Sequence, residues 1–126
     1  MASTDINANM AMATIYRTMV ARGVAGMPPA ARLTDICTGH ECWPPRVNVE
    51  GSPNVFVNSL PWHRQGDGWD VHCCTHPGVP HGCHKSVLAS GSGTVFINGK
   101  QAGRIGDPVA CGGTVATGSG NVFAGG

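Results

Sequence analysis

The chain has 126 residues, with 8 lysines and arginines against 7 aspartates and glutamates and a formal net charge of +1. This balance, without a basic run, argues against nucleic acid binding, and no apolar stretch reaches the length of a membrane span. With 19 glycines, 9 prolines and only 6% aromatic residues, the sequence favours turns, short strands and a thin core that needs a metal, a disulfide or a partner chain.

The N-terminal part is predicted to be an extension, residues 1–26, ahead of one domain at residues 27–126. Residues 11–24 could form a short helix, because apolar side chains recur there at helical spacing. Two interpretations stay open: a weakly folded leader, or a docking segment for a partner. The N-terminus lacks a positively charged region ahead of an apolar block, so we expect no secretory signal and export by another route.

From Pro28 onward the chain repeats itself three times. Each repeat carries an Arg-x-x-Asp tetrapeptide, interpreted as an ion pair or turn-capping hydrogen bond. These are Arg32 to Asp35, Arg64 to Asp67 and Arg104 to Asp107. A side chain able to bind metal follows four or five residues later, in the order His40, His72, Cys111. We expect the three turns to bring these side chains to a single point.

Each repeat also contains a Gly-Ser turn followed by a short Val-Phe strand, at residues 51–58, 91–98 and 118–125. Alternation places the phenylalanine on one face of the strand and the flanking aliphatic residues on the other. Asn98 and Gly99 are a strong hairpin signal. We expect Phe56, Phe96 and Phe123 to form a small core about a pseudo-threefold axis, since a single repeat could not bury its own phenylalanine.

Six cysteines interleaved with six histidines favour metal ligation by at least one cysteine over a framework of disulfides alone, since no signal peptide supports an oxidising compartment. A second metal ion is disfavoured on the same spacing. His63 lies outside the ligand register and is expected at the surface. Catalysis by paired carboxylates is not supported, because an arginine precedes each aspartate by three residues and no cleft is evident. Catalysis by a cysteine–histidine pair is not supported either, because the sequence indicates neither the helix nor the pocket that such a nucleophile needs.

The tetrapeptide Pro29-Ala30-Ala31-Arg32, the segment Arg-Ile-Gly-Asp-Pro-Val-Ala-Cys-Gly-Gly at 104–113 and the Gly-Ser-x-x-Val-Phe strands resemble the PAAR-repeat family over residues 27–126. Members of that family are the pointed tips of contractile injection machines, which include type VI secretion systems and phage tails. The resemblance implies a mainly β fold: a short, cone-shaped, pseudo-threefold domain stapled by a metal at its tip. The second and third tetrads are degraded, and the loop at 72–84 is unusually long.

The resemblance also implies one Zn²⁺ per chain, because the family's tip zinc is held by three histidines and one cysteine. By repeat position the ligands are His40, His72 and Cys111, and the fourth comes from the long loop. We choose His84, the last histidine before the chain re-enters the repeat, with His81 and then His76 as alternatives. A site with four protein ligands would be structural.

The other cysteines have more modest expected roles near that site. Cys37 and Cys42 are expected to pack as small apolar residues. Cys73 or Cys74 could pair with Cys83 once the protein reaches oxidising conditions.

The function expected from the resemblance is structural, not enzymatic: a tip that caps and sharpens the trimeric VgrG/gp5-like spike, one tip per trimer, for membrane puncture. The alternatives are an adaptor that carries an effector or chaperone through residues 1–26 or through the long loop at 72–84, and a free-standing zinc-binding protein. Contact with the target-cell membrane would be transient. The protein would be made in the cytoplasm and delivered outward at the tip of the apparatus or virion tail.

Overall fold

The computed structural model describes residues 27–75, 77 and 82–126. The expected extension at 1–26, with its candidate helix, and the alternative ligands His76 and His81 lie outside these residues. The mainly β fold class is confirmed in the described part, which consists of short strands, bridges and turns. No helix there is long and apolar enough to span a bilayer.

Within the described residues, six strands form three separate antiparallel hairpins. They are β1 (Phe56–Val57), β2 (Leu60–Pro61), β3 (Gly68–Cys74), β4 (Gly82–Val87), β5 (Phe96–Ile97) and β6 (Lys100–Gln101). The turn in β1–β2 has φ of 52° at Asn58 and 67° at Ser59, and that in β5–β6 has 55° at Asn98 and 77° at Gly99. Positive φ at both central residues is typical of the type I′ hairpin that an Asn-Gly pair predicts. The hairpin prediction at Asn98-Gly99 is therefore confirmed.

Two apolar clusters fill the interior of the described chain. The first contains Ala30, Val55, Val57, Trp62, Ile97, Ala102, Val122 and Ala124. The second contains Ala31, Cys37, Trp69, Leu88, Val109 and Val115, with Ile105 and Cys111 packed against it. The two clusters are adjacent through the consecutive residues Ala30 and Ala31. Cys111, one of the predicted metal ligands, packs against the second cluster.

The predicted core of three phenylalanines is wrong. Alternation along the strands holds, but the aliphatic face is the buried one: Val55 and Val57 are each 1% exposed, whereas Phe96 is 54% exposed. Phe56 and Phe123 are half-buried. The reason is steric, because the backbones of the repeats approach closely around the axis. The space there is taken up by the buried indole of Trp62 together with small and β-branched side chains, and Ala30 and Ala102 are fully buried among them.

The repeated Arg–Asp pair is confirmed as a turn-stabilising ion pair. In each repeat the arginine backbone N–H donates to the aspartate, at 2.7, 2.9 and 2.8 Å. The guanidinium donates to both carboxylate oxygens of the same aspartate. Two-point pairing of this kind fixes the orientation of the turn as well as its charge. Each pair therefore holds the start of the segment that leads to a predicted metal ligand.

A serine at the same place in each repeat, Ser52, Ser92 or Ser119, organises the turn before the Val-Phe strand. Its buried hydroxyl accepts hydrogen bonds from the backbone N–H groups two and three residues later. This is the serine turn that the Gly-Ser pattern predicts. The repetition of the turn and the ion pair in all three repeats gives the fold its pseudo-threefold character.

Candidate metal site

The four predicted ligands come from three separate parts of the fold. His40 lies in a tight turn whose backbone is paired with that of Trp43 in both directions. His72 on β3 and His84 on β4 face each other in register across their hairpin. Cys111 lies in the turn after Val109. The structure brings these four together, with their donor atoms all within 4.8 Å of one another.

Two glycines after Cys111 permit this approach. Gly113 has φ of 76°, and a Cβ at that position would lie 2.4 Å from the carbonyl oxygen of Gly39. A Cβ on Gly112 would lie 3.1 Å from the His40 ring. Any side chain at 113 would therefore push the cysteine turn away from the histidine turn.

The spacing of the three imidazoles fits a metal ion. The Nε2 atom of His40 lies 3.2 Å from that of His72 and 3.1 Å from that of His84, and the latter two lie 2.7 Å apart. Tetrahedral Zn²⁺ with Zn–N near 2.0–2.1 Å would place the nitrogens about 3.3 Å apart. The two distances from His40 would need to lengthen by about 0.1–0.2 Å and the His72–His84 distance by about 0.6 Å to take a tetrahedral ion.

The orientation of His72 supports the same interpretation. Its Nδ1 lies 2.8 Å from the carbonyl oxygen of Pro44, so Nδ1 carries the proton of the neutral ring and Nε2 presents a lone pair to the cluster. Three imidazole nitrogens meeting at one point cannot all satisfy each other by hydrogen bonds. A cation at their centre would, and a carbonyl behind a histidine is the usual outer support of a metal ligand.

The electrostatics of the cluster favour the neutral, ligating form of its histidines. Burial lowers the pKa of His72 below its ordinary value, Arg46 and the other two histidines lower it further, and the Pro44 hydrogen bond partly opposes them. Desolvation also lowers the pKa of His84, with His40 and Arg46 acting in the same direction. Neutral imidazole is the form that binds metal, so these shifts suit a metal site.

Sequence analysis missed Trp43 and Arg46, which surround the cluster. The Trp43 ring lies 5.0 Å from that of His40 and 4.9 Å from that of His84, measured between centroids. Buried Arg46 donates to the sulfur of Cys37 at 3.1 Å and to that of Cys111 at 3.4 Å. An aromatic residue three positions after a predicted ligand could have indicated the first. Nothing in the repeat register indicates the second, because Arg46 has no counterpart in the other repeats.

The remaining cysteines form two disulfides, Cys42–Cys74 and Cys73–Cys83. Of the two partners proposed for Cys83, the structure selects Cys73. The expectation that Cys42 packs as a free apolar residue is wrong, because the turn after His40 brings it against the end of β3. Cys37 is free and buried, as expected, and Cys111 is also free.

The expectation that His63 lies at the surface is also wrong. The side chain is fully buried and packs edge-on against Trp69, with ring centroids 5.1 Å apart. Its Nδ1 lies 2.7 Å from the carbonyl oxygen of Glu50. Burial lowers its pKa, although the Glu50 hydrogen bond and the nearby Asp67 carboxylate oppose the shift. His63 directly precedes Arg64 and lies where neighbouring repeats pack together. Its backbone N–H donates to the carbonyl oxygen of Ala31, and its own carbonyl oxygen accepts from the backbone N–H of Gly103.

The fold and the site together define a class of protein: a pseudo-threefold β domain with one group of three histidines and a cysteine that could hold a metal ion. The family model of the PAAR motif matches residues 46–117, more than half of the chain. The chain therefore belongs to the PAAR motif family.

Curated relatives extend the match beyond these residues. The chain is 37% identical over 107 residues to the NAD(P)(+) glycohydrolase toxin Tse6 of Pseudomonas aeruginosa, covering 82% of this chain and 23% of that protein. The same identity and length relate it to the (p)ppApp synthetase toxin Tas1 of another strain of that species, of which it covers 22%. It is 37% identical over 75 residues to double-stranded DNA deaminase toxin A of Burkholderia cenocepacia, covering 60% of this chain and 5% of that protein. The chain thus spans less than a quarter of each of these relatives.

Proposed function

We propose that this protein is the metal-stapled tip of a contractile injection machine, which caps a trimeric VgrG-like spike and sharpens it for membrane puncture. The observation that carries the proposal is the convergence of His40, His72, His84 and Cys111 from two turns and the β3–β4 hairpin of a pseudo-threefold fold. Membership of the PAAR motif family supports it.

The proposed metal is one Zn²⁺ per chain, held by all four of these side chains. Three imidazoles and one thiolate are the N/S donors that zinc takes in closed tetrahedral sites, where it acts as a structural crosslink. With every position filled by protein, the site leaves no room for a substrate, and the proposed role is structural, not catalytic. Zinc here would join three turns that have little apolar core between them.

The proposed docking surface lies on the strands of the first apolar cluster, which contains none of the four ligands. Phe56, Phe96 and Phe123 occupy equivalent positions in the three repeats and point away from that cluster. Phe96 is 54% exposed. Exposed aromatic side chains are the usual anchors of protein interfaces. Three of them about a pseudo-threefold axis suit a true homotrimer, with one tip per trimer.

A second candidate function is that of a carrier for an effector. The relatives that share this region are named as toxins, and the shared region is less than a quarter of each. In this version the tip docks on the spike and also brings a toxin or its chaperone with it, with residues 1–26 as the docking segment. Both versions place the protein at the tip of an apparatus assembled in the cytoplasm and delivered outward on contraction.

The test is to mix the chain with the trimeric spike protein encoded in the same genome and to measure the mass of the complex by native mass spectrometry. We expect one chain per trimer. Phe96→Ser should weaken binding by about tenfold or more, as loss of an aromatic anchor does. Val87→Ser is the matched control, because Val87 is 41% exposed on β4, outside the proposed surface. A wild-type chain that stays monomeric beside its spike would support the free-standing zinc protein instead.

A further inference from the structure

Every histidine of the candidate site lies within two residues of a cysteine that forms a disulfide. Cys42 follows His40 by two positions, Cys73 and Cys74 follow His72, and Cys83 precedes His84. The four disulfide cysteines of the chain are thus all placed beside metal-competent histidines.

The pairing of these cysteines connects the histidine segments in series. Cys42–Cys74 joins the turn that carries His40 to the end of β3, and Cys73–Cys83 joins β3 to β4. The second bond lies directly beside the His72–His84 pair in the register of that hairpin. All three imidazoles are therefore tied to one another through short covalent paths.

Cys111 is the exception. Its segment reaches the site only through non-covalent contacts: its backbone N–H donates to the Ser86 hydroxyl at 3.0 Å, and its sulfur accepts from Arg46. The fourth ligand can therefore withdraw without breaking a covalent bond, while the other three are held.

The two disulfides lie on opposite faces of β3, because Cys73 and Cys74 are consecutive in a strand. Cys74 is buried and shares the face of His72, which is also buried, whereas Cys73 is half-buried on the other face. The four sulfurs therefore do not converge as the ligands of a second metal ion would. They brace the hairpin from both sides.

We infer that the two disulfides are a redox-dependent brace of the metal site, an inference that rests on the zinc site proposed above. In the oxidised chain the three imidazoles are held in place, and the thiols of Cys42 and Cys74, on the His72 side of β3, are withdrawn from competition for the ion. In the reduced chain the imidazoles are held by packing alone, and these two thiols, which are soft ligands, offer zinc alternative partners. The oxidised tip retains its ion, and the reduced tip exchanges it.

The chemistry of the switch is ordinary thiol–disulfide exchange. Each cysteine pair loses two protons and two electrons as its S–S bond forms. A low-molecular-weight disulfide such as oxidised glutathione accepts the electrons and protons and is released as two thiols. Such exchange is expected when the tip passes from a reducing to an oxidising compartment.

The first measurement is of the disulfides themselves. Trypsin cleaves after Arg32, Arg46, Arg64 and Lys85, which leaves Cys42 on the peptide 33–46 and the other three half-cystines on 65–85. After treatment with oxidised glutathione, mass spectrometry should find these two peptides linked, with one further bond inside the second. Separate peptides would overturn the inference.

The second measurement is the rate at which zinc passes from the loaded full-length chain to excess chelator. We compare the oxidised chain with the variant in which Cys42, Cys73, Cys74 and Cys83 are all serine. Release from the oxidised wild type should be slower by about tenfold or more, the range seen when outer supports of a metal site are lost. Val87→Ser, which introduces a serine at an exposed position of β4 and removes no disulfide, should release zinc at the wild-type rate.

The outcomes separate this inference from the proposal on which it depends. Equal release rates overturn the brace and leave the zinc site standing, whereas a chain that takes up no zinc in either redox state overturns the zinc site itself. Should the fourfold variant fail to fold, wild type reduced with a phosphine replaces it. The paired variants C42S/C74S and C73S/C83S then assign the effect to one bond or the other.

Discussion

The hydroxyl of Ser119 donates a 2.6 Å hydrogen bond to the side-chain oxygen of Asn58, although 61 residues separate them in sequence. It joins the last repeat to the first hairpin. Ser52 makes the same bond to Asn98 at 2.6 Å, which joins the segment before β1 to the turn of the β5–β6 hairpin. Ser92 completes the ring through the carbonyl of Gly125, since the third repeat has a glycine where the others have asparagine. The Gly-Ser motif is therefore both a turn and a joint between repeats.

Ser119→Ala should lower the free energy of unfolding by about 1–3 kcal/mol. The change removes the acceptor of the backbone N–H groups of Asn121 and Val122, and the Val122 N–H is buried. It also removes the bond to the Asn58 oxygen, which keeps its hydrogen bond from Arg32. Urea unfolding followed by tryptophan fluorescence measures the loss. Ser59→Ala, in an exposed turn, is the control and should change stability by less than about 0.5 kcal/mol. Equal effects of the two changes would show that the ring contributes nothing.

The three ion pairs should differ in energy according to their burial. The Arg64–Asp67 pair has side chains 8% and 0% exposed, against 21% and 7% for Arg32–Asp35. Asp67→Ala leaves a buried guanidinium unpaired and should cost about 3–5 kcal/mol. Asp35→Ala should cost less, because Arg32 can be solvated. Chemical unfolding of both variants gives the order, and an Asp35 variant that is the less stable of the two would contradict it.

Removal of any metal ligand should remove the ion and much of the stability of the tip. His72→Ala and Cys111→Ala should contain little zinc by elemental mass spectrometry, where the wild type contains about one ion per chain. Structural zinc contributes on the order of 10 kcal/mol in small peptides. The melting temperature should therefore fall by more than about 10 °C.

The matched controls for the ligand variants are His76→Ala and His81→Ala, the two alternatives to His84. Both should retain the ion, whereas His84→Ala should lose it. If either control loses zinc while His84→Ala retains it, the fourth ligand is the histidine changed in that control, and the choice of His84 is wrong. A folded wild type that contains no zinc would contradict the proposal of a zinc-stapled tip.

Stability should fall as the pH drops through the range below 6.5, in part because of His63. Burial lowers the pKa of this side chain in the folded state, so the unfolded chain binds a proton first. The stability linked to His63 is complete above the ordinary histidine pKa and is lost as the pH falls towards the folded pKa. Its slope can reach about 1.4 kcal/mol per pH unit for one proton. Glu50 and Asp67 moderate the effect, and Arg64 adds to it.

The measurement is urea unfolding from pH 8 to pH 5 for wild type and His63→Gln. Because His72 and His84 shift in the same direction, the test is the difference between the two curves and not the slope of either. The curves should run parallel above pH 7 and converge below 6.5, since the glutamine variant has no proton to take up at this position. Parallel curves throughout would show that His63 stays neutral in both states.

The residues of the candidate site were predictable because the repeats keep register. His40 and His72 each follow an aspartate by five residues, and the same Arg–Asp turn precedes each of them. Equivalent turns about a common axis meet at one end, so side chains at equivalent positions meet as well. His84 lies outside this register, in what the sequence predicted as a long loop, and it was chosen as the last histidine before the repeat resumes. The structure pairs it with His72 across the β3–β4 hairpin.

The buried face of the strands and the place of His63 were not predictable in the same way. Alternation of Val and Phe indicates that the strand has two different faces, but it does not indicate which face is buried. Hydrophobicity alone favours burial of the larger side chain, phenylalanine. Which face is buried depends on how closely the repeats pack, and in this packing Ile97 is buried and Phe96 is exposed. His63 is buried because it lies between two packed repeats, and no pattern in the neighbouring sequence indicates that position.

Taken alone, the sequence determined the mainly β class, the threefold repetition, the Arg–Asp turns and three of the four side chains that meet, since each depends on local spacing carried through a periodic chain. Only the tertiary structure decided which strand face is core, that Cys42 reaches Cys74, and that Arg46 lies between two sulfurs. These depend on distances between segments far apart in sequence, and close packing, not periodicity, sets those distances.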